Sequence, residues 1–209
     1  GLLRIGAGGA ACHYLLPRVL KEFHESLPKV ELQVFSGHTQ LTVDRLLDGD
    51  LDAGLLTLPV SHHKLRIVDL GRDELVAIVA SSHPWSGRKR VDPGDFAGEP
   101  LLVYERRSQT FQLIQRVLLE AGVFPKLAME MDHLEAVIEM VRVGFGVAVV
   151  PRWTAGPNGR NADLVTLPIG RNGVYRKWGL GFVEKSHQPQ ILKAFVRLSA
   201  ERLPAMLSV

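Results

Sequence analysis

The sequence predicts an α/β fold, and three observations carry that prediction. Apolar residues switch repeatedly between an alternating and a helical period. Gly and Pro punctuate the switches. The first elements run strand, helix, strand, helix, strand, an order that calls for parallel pairing through crossover helices.

Each element has its own signal. Leu2 to Gly6 is a short apolar run leading into a Gly/Ala turn, and Leu16, Val19, Leu20, Phe23 and Leu27 then recur at helical spacing until Pro28. Val30, Leu32 and Val34 alternate with polar residues as a strand. A helix follows from about Thr39 with Val43, Leu46 and Leu47 on one face and Gly49 at its end. Leu51 to Leu56 is the next strand, and Leu65 to Leu70 and Leu75 to Ala80 read as two more. A second α/β series begins with strand Leu101 to Tyr104. Its helix is capped by Ser108 and carries Phe111, Ile114, Leu118 and Ala121, with Gly122 and Pro125 closing it. Leu127, Met129 and Met131 alternate as a strand, and Asp132 and Glu135 have the spacing of a capping box for the helix bearing Leu134, Val137, Ile138 and Val141. Gly144 ends that helix, and Val147 to Val150 is a strand cut by Pro151. Trp178 to Val183 is a late strand, and a last helix runs from about Pro189 to Leu203.

Two similar halves result: lobe I from 1–80 plus 179–209, and lobe II from 81–178. The last helix has no sheet of its own and is assigned to the first lobe. Two chain crossings between lobes predict a hinge and a cleft that strand C-termini and helix N-termini face, a natural place for a ligand.

Composition narrows the function. The chain has 209 residues, 46% of them hydrophobic and 22% charged, which suits a globular chain with a core and excludes a disordered one. A net charge of +3 makes no nucleic-acid stripe, and the run Arg88-Lys89-Arg90 reads as a solvated turn. The single cysteine, Cys12, excludes an internal disulfide and a cysteine metal cluster and favours a reducing compartment. No apolar stretch is long enough to span a membrane. Gly9-Ala10-Ala11-Cys12 faintly resembles a lipoprotein cleavage site, yet no continuous apolar stretch of signal-peptide length precedes it. The chain opens on a strand without a Met, as an excised domain would.

The sharper chemistries fare poorly. Gly6-Ala7-Gly8-Gly9-Ala10-Ala11 fits the G-x-G-x-x-A turn of dinucleotide folds, but the next strand ends in Val34-Phe35-Ser36-Gly37, without the acidic residue that holds a ribose. Cys12-His13 and Ser82-His83 are adjacent pairs whose side chains diverge, and no G-x-S-x-G elbow occurs. His62-His63 lies in a polar loop, and the eight histidines show no metal-ligand spacing. No catalytic residue, metal or cofactor is expected, and an NAD(P) enzyme built on the Gly6–Ala11 turn is the rival from another class.

Four motifs occur in order: Leu15-Leu16-Pro17, the run Leu47-Asp48-Gly49-Asp50-Leu51-Asp52-Ala53-Gly54, Ser82-His83-Pro84 after a strand, and Val143-Gly144-Phe145-Gly146 through Pro151. Together, over essentially the whole chain, they resemble the effector-binding domain of LysR-type transcriptional regulators. The resemblance implies a type 2 periplasmic-binding-protein fold of two Rossmann-like lobes with a small effector in the cleft. It also implies that a winged helix-turn-helix and linker helix precede Gly1, that promoter DNA is contacted through that missing part, and that the protein is cytoplasmic and pairs as a homodimer or tetramer. A solute-binding protein of a transporter is the rival of the same fold, and it should carry an export signal.

Loops at strand C-termini supply the candidate effector contacts: Gly9, Ala10, Ala11, Cys12 and His13, then His38 and Thr39, then Thr57, in the first lobe, and Arg106, Arg107, Ser108 and His133 in the second. The family places a Ser or Thr hydroxyl near Ala10 and Ala11, so its loss here leaves backbone N–H groups, assisted by Thr39 or His13, to hold an anion. Some relatives that bind aromatic acids carry an Arg where this chain has Thr57. Arg106 and Arg107 are the cationic candidates, with a solvent-facing loop as the alternative. His38 and His133 could stack on or hydrogen-bond a ligand or be ordinary surface histidines. Asp132 is expected to cap its helix rather than touch ligand.

Overall fold

The alternation of periods becomes, in chain order, β1 (Leu2–Ala7), α1 (Gly9–Tyr14), α2 (Leu16–Ser26), β2 (Glu31–Ser36), α3 (Thr39–Leu47), β3 (Ala53–Leu58) and β4 (Leu65–Ala80). There follow β5 (Pro100–Tyr104), α4 (Gln109–Glu120), β6 (Lys126–Met131), α5 (Leu134–Arg142), β7 (Val147–Pro151), β8 (Leu164–Pro168), β9 (Val174–Val183) and α6 (Gln190–Leu207). This is a computed structural model, and it describes residues 1–155 and 163–209. Unit 1 comprises Gly1–Arg72 with Lys177–Val209, and unit 2 is Asp73–Arg176, so both boundaries fall inside strands, β4 and β9.

Unit 1 orders its strands β2-β1-β3-β9, with β4 beside β9. β1 runs parallel to both β2 and β3, as crossover helices require, and β9 returns antiparallel to β3. The C-terminal ends of β1, β2 and β3 therefore lie at one edge. Leu3, Ile5, Leu55 and Leu56 are buried, and α2 and α6 meet through an edge-to-face contact of Phe23 and Phe195, with ring centroids 5.6 Å apart. The last helix thus returns to unit 1.

Unit 2 runs β4-β7-β5-β6, with β8 also paired to β4. β5 is parallel to β6 and β7, while β4 is antiparallel to β7. One face buries Leu75, Leu101 and Val147 with Phe111, Ile114 and Leu118 of α4. The α5 side chains Leu134, Val137, Ile138 and Val141 are buried as well. Sheets covered on both faces read as near-continuous apolar runs, which is why Leu75–Ala80 and Val147–Val150 show little alternation.

The structure departs from the sequence reading in four places. The two strands expected at 65–70 and 75–80 are one strand of 16 residues. Gly71 sits in it at φ +91°, a left-handed backbone open to glycine, so a glycine-bearing segment that reads as a turn continues the strand. The Gly/Ala turn after β1 is itself the short helix α1, separated from α2 by Leu15. The capping box of Asp132 and Glu135 does not form, because α5 begins one residue later, with His133 at the N-cap and no side-chain cap bond. Strand β8 was not anticipated.

Candidate functional site

In unit 1 the C-terminal ends of β1, β2 and β3 are tied to the segments that follow β1 and β2. The Ala7 carbonyl accepts from the Gly37 N–H at 2.9 Å and from the Cys12 thiol at 3.5 Å. Burial pushes the Cys12 thiol above its ordinary pKa, partly offset by a hydrogen bond with Ser36, so it stays protonated and poorly nucleophilic at neutral pH. Gly8 stands at the N-cap of α1 in extended backbone, followed by Gly9 and Ala10, half-buried, and by Ala11, fully buried. His13 is exposed, its ring 4.7 Å from that of Tyr14.

His38 has a local job: its Nδ1 accepts from the Leu41 N–H at 3.2 Å, which caps α3 and leaves Nε2 as the ring donor when neutral. Thr39 and Thr57 come together from α3 and β3. The Thr57 N–H donates to Thr39 Oγ1 at 3.0 Å, and the two hydroxyls share a hydrogen bond of 2.7 Å. One hydroxyl hydrogen is consumed between them. The other has no acceptor among the described residues, and Thr57 is only half-buried.

In unit 2 the pairing of Tyr104 with Met131 sets the loops after β5 and β6 side by side. The Arg106 N–H ties the loop after β5 to strand β6 by donating to Glu130 Oε1 at 3.2 Å. Glu105 turns the chain at φ 51°, and its carbonyl accepts from the Ser108 N–H at 2.9 Å. A non-glycine residue there is strained by about 1 kcal/mol or more. Arg106 and Arg107, at the tip, are exposed and form no ion pair among the described residues. The Ser108 hydroxyl accepts from the Phe111 N–H at 3.1 Å, so it is the N-cap of α4. His133 is exposed, beside an exposed Asp132.

A buried charge cluster in unit 2 escaped the sequence reading. Asp73, 1% exposed, takes a two-pronged ion pair from Arg176, Nε to Oδ1 at 2.8 Å and Nη2 to Oδ2 at 2.7 Å. Trp153 Nε1 donates to the same carboxylate at 2.7 Å, and Arg176 Nη1 donates to the Thr110 hydroxyl in the first turn of α4. The cluster thus fastens the helix that carries the Ser108 cap. A signal did exist: Asp73 and Arg176 are charged residues bordering apolar strand runs.

Among the described residues no group of His, Cys, Asp and Glu could hold a metal ion. No described helix is long and apolar enough to cross a membrane. Two cavities of unit 1, about 230 and 440 Å³, are lined by none of the candidate residues; the first surrounds Arg4 and Asp52, and the second lies beside α6.

Comparison with known proteins bears on this arrangement. The model of the LysR substrate binding domain matches residues 1–204. The HTH-type transcriptional regulator TtuA of Agrobacterium vitis is 31% identical over 157 residues, 74% of this chain and 52% of that protein. The chain spans about half the length of this relative. The regulatory domain of MetR, a LysR family regulator from N. meningitidis, superposes with a TM-score of 0.81 at 25% identity, covering 99% of this chain and 97% of that one. The CcmR regulatory domain of Synechocystis PCC6803, solved in complex with 2-PG, reaches a TM-score of 0.89 at 21% identity with both chains fully covered (100%). The fold matches LysR regulatory domains with their periplasmic-binding-protein-like architecture. The chain belongs to the LysR substrate binding domain family.

Proposed function

We propose that this chain is the effector-sensing part of a LysR-type transcription factor. It binds a small, organic-acid-like molecule and has no catalytic role. The intact protein carries a winged helix-turn-helix ahead of Gly1, contacts promoter DNA through it, works in the cytoplasm and pairs with itself as a homodimer or tetramer. The effector acts through its different affinity for two states of the regulator, shifting their populations.

The Thr39–Thr57 pair carries the effector site. It presents a hydroxyl hydrogen without an acceptor among the described residues, at the strand-end edge where Gly9–His13 and His38 also lie. Within unit 2, the exposed Arg106 and Arg107 beside the Ser108 helix start are a separate candidate contact for a carboxylate. The relation to CcmR, whose regulatory domain was solved in complex with 2-PG, supports a small-molecule effector.

Calorimetric titration of the chain with 2-PG and a panel of small carboxylates tests this reading. Saturable binding by one of them, weakened about tenfold by Thr57→Val, is expected, since a lost hydrogen bond to a charged group costs roughly 1.5 kcal/mol or more. Tight NAD(P) binding that Gly8→Asp abolishes would replace the sensor by an enzyme.

A further inference from the structure

The cavity of about 440 Å³ in unit 1 is an open trough between α6 and the strands β4 and β9. Val68, Phe182, Leu192 and Val196 form its floor, and Arg66, Lys185, Lys193 and Arg197 stand along it. Leu192, Lys193, Val196 and Arg197 follow a spacing of one, three and one, which puts an apolar pair and a cationic pair side by side on one stripe of α6. Across the trough, Arg66 of β4 pairs with Glu184 just beyond β9 at 3.0 Å, so the lining's one carboxylate is already engaged. Lys185 and Lys193 are exposed and form no ion pair among the described residues, and Arg197 reaches Glu201 only at 4.0 Å.

Four cations against one carboxylate make a surplus as large as the net charge of +3 of the whole chain. Cations this exposed, with 62% of the Arg66 and 80% of the Arg197 side chain open to water, do not converge on a point as a small anion needs. Spread along a trough, they match a line of carboxylates. A nucleic-acid backbone would use the charge and leave the half-buried Val68 and Val196 without a partner.

We propose that this trough docks an acidic amphipathic helix of another protein. Its apolar stripe lies on Val68, Phe182, Leu192 and Val196, and its carboxylates face Arg66, Lys185, Lys193 and Arg197. Phe182 and Leu192 are each only 6% exposed, so the floor adds modest burial and the charges set the encounter rate and salt dependence. The surface shares no residue with the candidate effector site, so either proposal can fail without the other.

The test titrates the 209-residue chain, followed residue by residue by amide NMR, with a synthetic peptide of about 15 residues, roughly four helical turns, carrying Leu on one stripe and Glu elsewhere. Saturable shifts at 66–68, 182–185 and 192–197 are expected. Lys185→Glu with Lys193→Glu should weaken binding about tenfold or more, and added salt should act in the same direction. Val196→Ser should weaken it by a smaller factor. Both lysines are exposed, so the charge reversal leaves the fold intact, which circular dichroism checks. The proposal is overturned if the peptide does not bind, if its shifts map elsewhere, or if charge reversal leaves the affinity unchanged. Preferential binding of a DNA duplex of about 20 base pairs to the trough would also overturn it, as would the same shifts on raising protein concentration alone, which would identify a second copy as the occupant.

Discussion

In unit 1, helix α3 lies against glycines. A Cβ on Gly6 would come within 2.6 Å of Leu51 and 2.8 Å of Thr42, and one on Gly54 would collide with the same Thr42 methyl. In unit 2, helix α4 is fastened by charge, through Arg176 bridging the buried Asp73 carboxylate to Thr110. Unit 1 therefore seats Thr39 and Thr57 by leaving side chains out, and unit 2 seats its Ser108 turn by burying an ion pair. A tightly packed apolar contact relaxes in part when disturbed, whereas a buried charge that loses its partner keeps its full desolvation cost.

Removing one partner of the ion pair should therefore have the largest effect. Asp73→Ala leaves the Arg176 guanidinium, 9% exposed, without its carboxylate and should cost about 3–5 kcal/mol, read by urea unfolding. A change near zero would show that water or another group already satisfies Arg176. Gly54→Val should cost about 1–3 kcal/mol by overpacking against α3, and because Thr39 begins that helix it should also weaken effector binding. Asp73→Ala with unchanged effector affinity beside a Gly54→Val that loses it would place the sensing chemistry in unit 1. Ser108→Ala removes the α4 cap and should cost about 1 kcal/mol, with the loss confined to unit 2 in amide exchange.

The smallest effect concerns pH. The Asp92 N–H, and then Arg88, hold the Asp95 carboxyl below its ordinary value of 3.8. A carboxyl with a lowered folded value stabilises fully above the unfolded value and loses that contribution as pH falls through the folded one. Asp95→Asn should therefore lower stability slightly at neutral pH and flatten the acid limb below about pH 4 by the same small amount. An unaltered acid limb would remove Asp95 from the account.

Local chemistry made much of the fold readable. Helix α3 begins at Thr39, Ser108 caps α4, and Gly49, Gly122 and Gly144 take positive φ just past their helices, because caps and left-handed glycines act over three or four residues. What was not readable depends on distant partners. Gly71-Arg72 resembles a turn unless the strands beside it are known. Asp132 and Glu135 have capping-box spacing, but the helix start was one residue off. Asp73 and Arg176 meet across 103 residues. At the candidate site, the strand-end positions of Thr39 and Thr57 followed from the alternation. Their mutual hydrogen bond and the capping role of His38 are contacts that spacing does not encode.

The reading frame immediately upstream of Gly1 in the native gene tests the central claim most directly. A helix-turn-helix followed by a long helix is the predicted result. A secretory signal peptide directly ahead of Gly1 would contradict it and assign the same fold to capture of solutes outside the cytoplasm.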